Sequence, residues 1–139
     1  MKKLIVLLAG GFLSACATGY NPNYYFNELQ VVNLAGATIE DVNLTVAAYP
    51  NSLSCQEVAK FAICDDRFGK RRYLQQGIQL SWTHPDGSRR SDTLNPRVPA
   101  FYNAALPLRI VIEVLEDGSV KAFYEQEEPG RDGFFTSLR

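Results

Sequence analysis

Alternating apolar and polar side chains predict several β-strands along the chain. The first is the aromatic and β-branched segment 24–34. The second runs over 39–49, with a bulge at Glu40–Asp41 because Ile39 is out of phase with Val42. A hairpin is expected between these two strands. The same alternation predicts four further strands, over 78–83, 88–94, 108–114 and 120–124.

Turn signals separate these strands. Pro85-Asp86-Gly87-Ser88 and Glu116-Asp117-Gly118-Ser119 each place a glycine where a tight turn needs a positive φ. The second of these turns predicts a hairpin between the strands on either side of it. The polar strand 88–94 is expected at a sheet edge, where its charges prevent further pairing. The prolines of 95–99 predict a connection that crosses between sheets.

Residues 54–73 interrupt the strand pattern. Ser54-Cys55-Gln56-Glu57 matches the S-x-x-E capping box and precedes a short apolar segment, so a helix of two turns is expected there. The polar residues 65–73 are expected to form a loop. Together with the six strands, this pattern predicts an antiparallel β-sandwich of immunoglobulin-like type with one short helix, or else a small barrel.

The first sixteen residues have the form of an export signal. Two lysines precede an apolar stretch that is shorter than the roughly 20 residues a membrane-spanning helix needs. Leu13-Ser14-Ala15-Cys16 resembles the lipobox of bacterial lipoproteins. The resemblance implies cleavage before Cys16 and a lipid anchor on its sulfur. Since Ala17 rather than aspartate follows, it also implies residence at the outer membrane, facing the periplasm. The alternative is an ordinary secretory signal that happens to contain a cysteine.

These signals divide the chain into four parts. They are a signal peptide over 1–15, a lipidated tether over 16–23, a β-sandwich domain over 24–126 and a loose C-terminal tail over 127–139. Removing Lys2 and Lys3 with the signal lowers the basic count from 14 to 12, against 15 acidic residues. A mature chain with this excess of acids gives no electrostatic reason to expect nucleic-acid binding.

The three cysteines have different expected roles. Once Cys16 is assigned to lipid, Cys55 and Cys64 remain as a pair that is expected to form a disulfide in an oxidising compartment. The alternatives are a redox pair, for which C-x-x-C spacing would be expected, or a zinc site. A zinc site needs more ligands than the single histidine, His84, can add. No metal and no cofactor are expected.

Residues suited to catalysis are few. His84 lies beside a turn, where it is expected to cap the hairpin. The alternative is a hydrolase that combines His84 with Ser81 or Ser88, but neither serine lies in a G-x-S-x-G motif. The carboxylate pairs Asp65–Asp66 and Glu127–Glu128 fall in the expected loop and tail. The sequence therefore favours a protein that is not an enzyme.

Two groups of residues are candidates for binding. The basic segment Arg67, Lys70, Arg71 and Arg72 can hold anionic lipid head groups or envelope polymers; the alternative is a solvated loop that balances nearby acids. An aromatic set is expected either in the core or in a protein interface: Tyr24, Tyr25, Phe26, Phe101, Tyr102, Phe123 and Tyr124. The leading hypothesis is an envelope accessory or assembly factor that binds another protein, with anion binding second and hydrolysis by His84 third.

Overall fold

The computed structural model describes residues 23–47, 49–74 and 77–126. These residues form eight strands and no helix, arranged in two four-stranded sheets with the orders β4-β1-β7-β8 and β3-β2-β5-β6. The mainly β prediction is therefore confirmed. The strands are β1 (Tyr24–Leu34), β2 (Ile39–Val46), β3 (Tyr49–Val58), β4 (Ile63–Tyr73), β5 (Ile78–Thr83), β6 (Arg89–Leu94), β7 (Leu108–Leu115) and β8 (Val120–Gln126).

Strand pairing confirms several sequence predictions and corrects one. All pairs are antiparallel except β1 with β7, which is parallel. The predicted β1–β2 hairpin is wrong, because β1 and β2 lie in different sheets and residues 35–38 cross between them. The β7–β8 hairpin, the edge position of β6 and the crossing after β6 are confirmed. The bulge is confirmed too, since the β2–β5 register shifts between Glu40 and Asn43 and Asp41 has a φ of 47°.

Side chains from both sheets form one hydrophobic cluster. Phe26, Leu29 and Val31 of the first sheet and Leu44 and Trp82 of the second are among its fully buried members. Burying each such side chain stabilises the fold by about 1.5–3 kcal/mol. Because alternate residues of each strand enter this cluster, the functional surfaces must lie on the outer faces, the edges and the ends of the sheets.

The short helix predicted at 54–62 is wrong. Ser54 and Cys55 lie inside β3, where Val42 pairs with Cys55, and the Ser54 hydroxyl donates to the Asn43 side chain at 3.0 Å. Pairing with β2 bonds one side of the backbone over 54–58, whereas an isolated helix of two turns is marginal in water. The loop predicted at 65–73 is also wrong, since these residues belong to β4 and pair with β1.

The predicted disulfide between Cys55 and Cys64 is present, with a Cα–Cα distance of 6.4 Å. It joins β3 to β4, which are edge strands of different sheets. The bridge therefore links the two sheets along one side. In the chain-entropy model, a bridge that closes so short a loop contributes about 2–3 kcal/mol.

The strands give the domain two distinct ends. Odd-numbered strands begin, and even-numbered strands finish, at the end where Tyr24 lies, which we call the N-terminal end; it includes residues 95–107. The opposite end, which we call the far end, holds the connections 35–38, 59–62, 84–88 and 116–119. The 11 residues of β1 separate the two ends by about 33 Å, at about 3.3 Å per residue.

Candidate functional site

The four predicted anion-binding residues all lie on β4, but they do not form one group. Arg67 lies at the middle of the strand and pairs with Glu28, its Nε 3.1 Å from the carboxylate. The pairing register with β1 then shifts, and the other three cations follow this shift, nearer the N-terminal end. These three residues are Lys70, Arg71 and Arg72.

Arg67 belongs to a charged row that crosses the first sheet. The carboxylate of Glu28, which is buried, accepts hydrogen bonds from Arg109 Nε at 2.8 Å and from Gln30 Nε2 at 2.9 Å. Arg109 Nη1 also donates to Glu125 at 3.0 Å. Burial lowers the pKa of Arg109, but its hydrogen bonds to Glu28 and Glu125 outweigh that effect and raise the pKa overall. The row therefore satisfies a buried carboxylate.

The described surface offers little room for a small molecule. The cavity beside the charged row, lined in part by Pro107 and Arg109, has a volume of about 10 Å³, room for about one water molecule. A depression of about 400 Å³ at the far end is open and lined by Glu40, Asp41, Gln56 and Glu57. Within residues 23–47, 49–74 and 77–126, no group of three histidine, cysteine or acidic side chains could hold a metal ion.

Arg71 is partly enclosed by aromatic rings. Its guanidinium carbon lies 4.1 Å from the centre of the Phe68 ring and 5.4 Å from that of Tyr49. Both rings pack edge to face on Phe26, at 5.4 and 5.6 Å. Arg71 therefore covers the aromatic part of the core while keeping its charge at the surface.

Lys70 and Arg72 are more open to solvent than Arg71. Both side chains are exposed. Arg72 Nη2 donates to the side-chain oxygen of Asn23 at 3.0 Å, and the Arg72 carbonyl accepts from the Tyr49 hydroxyl at 3.1 Å. These contacts fix the backbone of β4 near Asn23, where the described chain begins. Two of the four predicted anion-binding cations are thus presented to solvent at the N-terminal end.

The predicted aromatic set does not form one surface. Tyr24, Phe26 and Tyr124 are buried, whereas Tyr25 is 39% exposed and Phe101 85% exposed. The Tyr73 hydroxyl lies 2.6 Å from that of Tyr124. Burial raises the pKa of both phenols; for Tyr124 the contact with Tyr73 raises it further. Most of this set therefore packs the domain, and Phe101 stands apart from it.

A hydrogen-bonded frame holds the segment that carries Phe101. The Tyr102 hydroxyl donates to the carbonyl of Tyr124 at 2.7 Å, and the Tyr124 hydroxyl donates to the carbonyl of Pro96 at 2.8 Å. Gln126 Nε2 donates to the carbonyl of Asn103 at 2.7 Å. The Phe101 ring lies edge to face on Tyr102, with the ring centres 5.1 Å apart. The exposed ring is therefore carried by an anchored segment.

His84 is buried at the far end with both ring nitrogens engaged. Trp82 Nε1 donates to Nδ1 at 3.1 Å, so Nε2 carries the proton and donates to the carbonyl of Glu116 at 3.0 Å. Ser81 accepts from Arg89, and the Ser88 hydroxyl donates to Asp86. Neither serine hydroxyl bonds to the His84 ring; Ser88 is bonded to His84 through its backbone carbonyl, which accepts from the His84 N–H at 2.9 Å. His84 therefore links the β5–β6 connection to the β7–β8 turn.

The two Asp-Gly-Ser turns at the far end have the same internal structure. Asp86 Oδ1 accepts from the backbone N–H of Ser88 at 2.9 Å and from its hydroxyl at 2.5 Å. Asp117 accepts the equivalent bonds from Ser119. These bonds lower the pKa of Asp86 to about 2 and also lower that of Asp117. Arg90 pairs with Asp86 at 3.3 Å, and its guanidinium lies against Gly118.

Besides His84 and the two Asp-Gly-Ser turns, the far end contains Asn33, which is fully buried. Its side-chain Nδ2 donates to the carbonyls of Ala37 at 2.7 Å and Val58 at 2.8 Å, and its Oδ1 accepts from the Ala35 N–H at 2.9 Å. Its backbone carbonyl accepts from the N–H of Phe61 at 2.9 Å. One asparagine therefore holds both the connection after β1 and the connection after β3.

Phe61 lies in that second connection with an unusual backbone and an exposed ring. Its φ is 63°, in the left-handed region, and its side chain is 64% exposed. Ile63, two residues on, is 40% exposed, and the ammonium of Lys60 lies 4.9 Å from the Phe61 ring centre. A bulky residue with positive φ is a genuine outlier. The far end therefore presents an aromatic ring on a strained and firmly held backbone.

Sequence reasoning missed the roles of Asn33, Phe61 and Glu28. Asn33 is a polar residue within an apolar run, a signal that could have marked it as a buried hydrogen-bonding residue. Phe61 falls within the expected helix, and nothing in its neighbours signals a positive φ. The ion pair of Glu28 with Arg109 cannot be predicted from the sequence, because nothing in it indicates that β1 pairs with β7.

Several predictions fall on residues outside the described ranges. These are the signal peptide 1–15, Cys16, the tether up to residue 22, Glu127–Glu128 and the rest of the tail. Among the described residues, no helix is long and apolar enough to cross a membrane.

Comparison with known proteins gives little more. No protein-family model matches the chain, and no curated protein matches it by sequence. A solved structure described as the NMR structure of the protein from Eubacterium rectale is similar, with a TM-score of 0.46 and 13% sequence identity. The similarity covers 78% of this chain and 96% of that chain.

Proposed function

We propose that this chain is a non-enzymatic lipoprotein of the bacterial cell envelope that binds another envelope protein as an accessory or assembly factor. Lipid on Cys16 would hold it at the outer membrane, facing the periplasm. Its two sheets would pack as a sandwich of immunoglobulin-like type, an arrangement supported by the single core that they share. The observation that carries the binding function is the strained and exposed Phe61.

The positive φ at Phe61 closes the turn 59–62, in which the Ala62 N–H donates to the carbonyl of Ala59 at 2.9 Å, but this turn does not require an aromatic side chain at that position. A left-handed conformation costs a residue with a side chain about 1–2 kcal/mol. Burying the ring would offset this cost, but the ring is largely exposed. Strained positions persist where the surrounding structure fixes them, and they cluster at functional sites. Asn33 supplies that constraint through its bond to the Phe61 N–H.

The chemistry of the Phe61 region suits a protein partner. Exposed aromatic rings are enriched at the centres of protein interfaces, where they contribute much of the binding energy. Ile63 extends the apolar surface, and Lys60 adds a charge at its rim. Because Tyr24 is at the opposite end of β1, a lipid anchor upstream of it would leave Phe61 directed away from the membrane. A soluble or membrane-bound partner would then have access to it.

The function is tested by changing Phe61 to glycine. Glycine adopts a positive φ without strain, so Phe61→Gly should raise the free energy of unfolding by about 1 kcal/mol in urea denaturation. It should also abolish partner binding. A photo-crosslinking amino acid at position 61 in intact cells should give one discrete protein adduct, which Ile63→Ser weakens.

The matched control places the same photo-crosslinker at Thr93, which is exposed on an edge strand of the second sheet. It should give no such adduct. Identical adducts from both positions would contradict a specific site at Phe61. Unchanged or lower stability of Phe61→Gly would show that the backbone is not strained, and the argument for display of the ring would fail.

The anchor is tested separately. Mass spectrometry of the protein purified from membranes should find an N-terminal Cys16 carrying acyl chains. An unmodified Cys16, or a chain that still begins at Met1, would exclude the lipoprotein proposal without affecting the proposed role of Phe61.

A second candidate function is binding of an anionic lipid or envelope polymer by the basic residues of β4. The observation that favours it is the position of Lys70, Arg71 and Arg72, which lie together towards the N-terminal end. Arg67 is less suited to this role than the other three, because it pairs with the buried Glu28.

A further inference from the structure

The two ends of the domain carry opposite charge. In the described part of the chain, the half nearer the N-terminal end, up to the level of Glu28, has six cations and two acids. They are Arg67, Lys70, Arg71, Arg72, Arg97 and Arg109, against Glu28 and Glu125. The half from the level of Gln30 onward has four cations and eight acids. They are Lys60, Arg89, Arg90 and Lys121, against Glu40, Asp41, Glu57, Asp65, Asp86, Glu113, Glu116 and Asp117. Two further acids, Asp66 and Asp92, lie between the two halves, at the level of Leu29 and in the middle of β6.

Only part of the positive charge is neutralised within the fold. Arg67 and Arg109 pair with Glu28 and Glu125 in the charged row. The excess is therefore carried by the remaining four cations, Lys70, Arg71, Arg72 and Arg97. The tail follows Gln126 in the sequence and adds Glu127, Glu128 and Asp132 against Arg131 and Arg139. Even with all five of these charges added to its six cations and two acids, the N-terminal half would keep a net excess of three positive charges.

The same end displays apolar side chains. Phe101 is 85% exposed and Leu74 40% exposed, and the segment carrying Phe101 is held by Tyr102 and Tyr124. Aromatic rings beside cations are the combination that binds the interface of an anionic bilayer, where rings enter the head-group region and cations attract phosphates. Cations alone would suit any polyanion equally well.

The proposed anchor would bring this end to a bilayer. Eight residue steps separate Cys16 from Tyr24, which limits the distance between them to about 28 Å and gives a flexible tether a span of about 16 Å. The far end would lie about 33 Å farther from the membrane than Tyr24. We infer that the N-terminal end is a docking surface for a bilayer containing anionic phospholipid, and that docking directs Phe61 away from the membrane. This inference rests on the proposed lipid anchor for its location.

The experiment removes the anchor, so that surface binding is measured alone. The mature chain 16–139 with Cys16→Ser is mixed with vesicles of phosphatidylethanolamine containing about a third phosphatidylglycerol, at low salt, and binding is measured by co-sedimentation. The triple variant Lys70→Gln, Arg72→Gln, Arg97→Gln should lose about 100-fold in affinity, roughly fivefold per cation. Arg71 is kept because it packs on Phe68 and Tyr49.

The matched control removes three cations from the far end through Lys60→Gln, Arg89→Gln and Lys121→Gln. It should bind as the parent does, and phosphatidylcholine vesicles should bind neither protein. Equal loss in both triple variants, or binding to both kinds of vesicle, would overturn the docking surface. If the docking surface failed this test, the proposed lipid anchor on Cys16 would still stand, because mass spectrometry tests the anchor separately.

Phe101→Ser distinguishes a membrane from a soluble polyanion. On a bilayer this variant should bind severalfold more weakly than the parent, whereas binding to soluble polyphosphate should be unchanged. The contrary result is an unchanged affinity of Phe101→Ser for vesicles, together with polyphosphate binding as tight as vesicle binding. It would show that the cations bind a soluble polymer and would overturn the membrane proposal.

Discussion

The two ends of this domain are held in different ways. At the far end, short connections are fixed by side chains that bond to backbone atoms: Asn33 to Val58, His84 to Glu116, and Asp86 to Ser88. At the N-terminal end, the side chains of Tyr102, Tyr124 and Gln126 also bond to backbone carbonyls, but they hold the much longer segment 95–107. The short connections of the far end are therefore fixed closely, whereas the long segment is held at a few points.

This difference matches the surfaces that each end presents. The far end can maintain an unfavourable φ at Phe61, because the carbonyl of Asn33 holds its N–H. The N-terminal end needs no such strain, because its cations and Phe101 lie on ordinary strand and loop backbone. A partner that needs one ring in one position suits the far end, and a diffuse anionic surface suits the other.

The largest effect should come from breaking the far end at Asn33. Asn33→Ala leaves the carbonyls of Ala37 and Val58 and the N–H of Ala35 without their partner. Each buried polar group left unsatisfied costs about 1–3 kcal/mol. We therefore expect urea denaturation to show a loss of about 3–5 kcal/mol.

Asn43→Ala is the control for this change. Asn43 bonds to Ser54 and Asp41 at exposed positions, so its loss should cost less than about 1 kcal/mol. Similar losses for the two variants would show that the far end does not depend on the buried asparagine.

A smaller effect is expected at the N-terminal end from Tyr124→Phe. The change leaves the carbonyl of Pro96 and the hydroxyl of Tyr73 without their partner, and it should cost about 1–2 kcal/mol. Amide hydrogen exchange in 95–107 should become faster. Tyr73→Phe should cost less, because the Tyr124 hydroxyl still donates to Pro96. Equal costs, or unchanged exchange in the loop, would contradict the proposed frame.

Sequence patterns predicted the strands better than they predicted the ends. Alternation over 78–83 and 108–114 marks half-buried strands, because each second residue enters the core. The helix at 54–62 was wrong because a capping box is a local signal, and pairing with β2 overrides it. The sheet assignment of β1 and β2 was wrong because adjacency in sequence does not determine which partner a strand finds.

The candidate surfaces were predicted only in part. The cations of β4 are visible in the sequence. That Arg67 differs from the other three depends on its pairing with Glu28, a buried residue of β1 that is far from β4 in the sequence. The Cys55–Cys64 bridge follows from counting cysteines, whereas the strands that it joins do not. Phe61 depends on a single φ angle, and Asn33, which holds it, is separated from it by 28 positions.

The smallest effect concerns acid, and it tests what fixes the two turns of the far end. Hydrogen bonds from the Ser88 hydroxyl and N–H, with Arg90 as a weaker contributor, hold the pKa of Asp86 at about 2 in the folded protein. The unfolded value is about 3.9. A lowered folded pKa contributes stability above about pH 4, and this stability is lost as the pH falls towards about 2.

In an NMR titration of side-chain carboxyl groups, Ser88→Ala should raise the pKa of Asp86 more than Arg90→Gln does. The pKa of Asp117 should stay low in Ser88→Ala, because Ser119 supplies its bonds. The opposite order for Ser88 and Arg90 would mean that charge, and not the turn, sets the behaviour of the far end in acid.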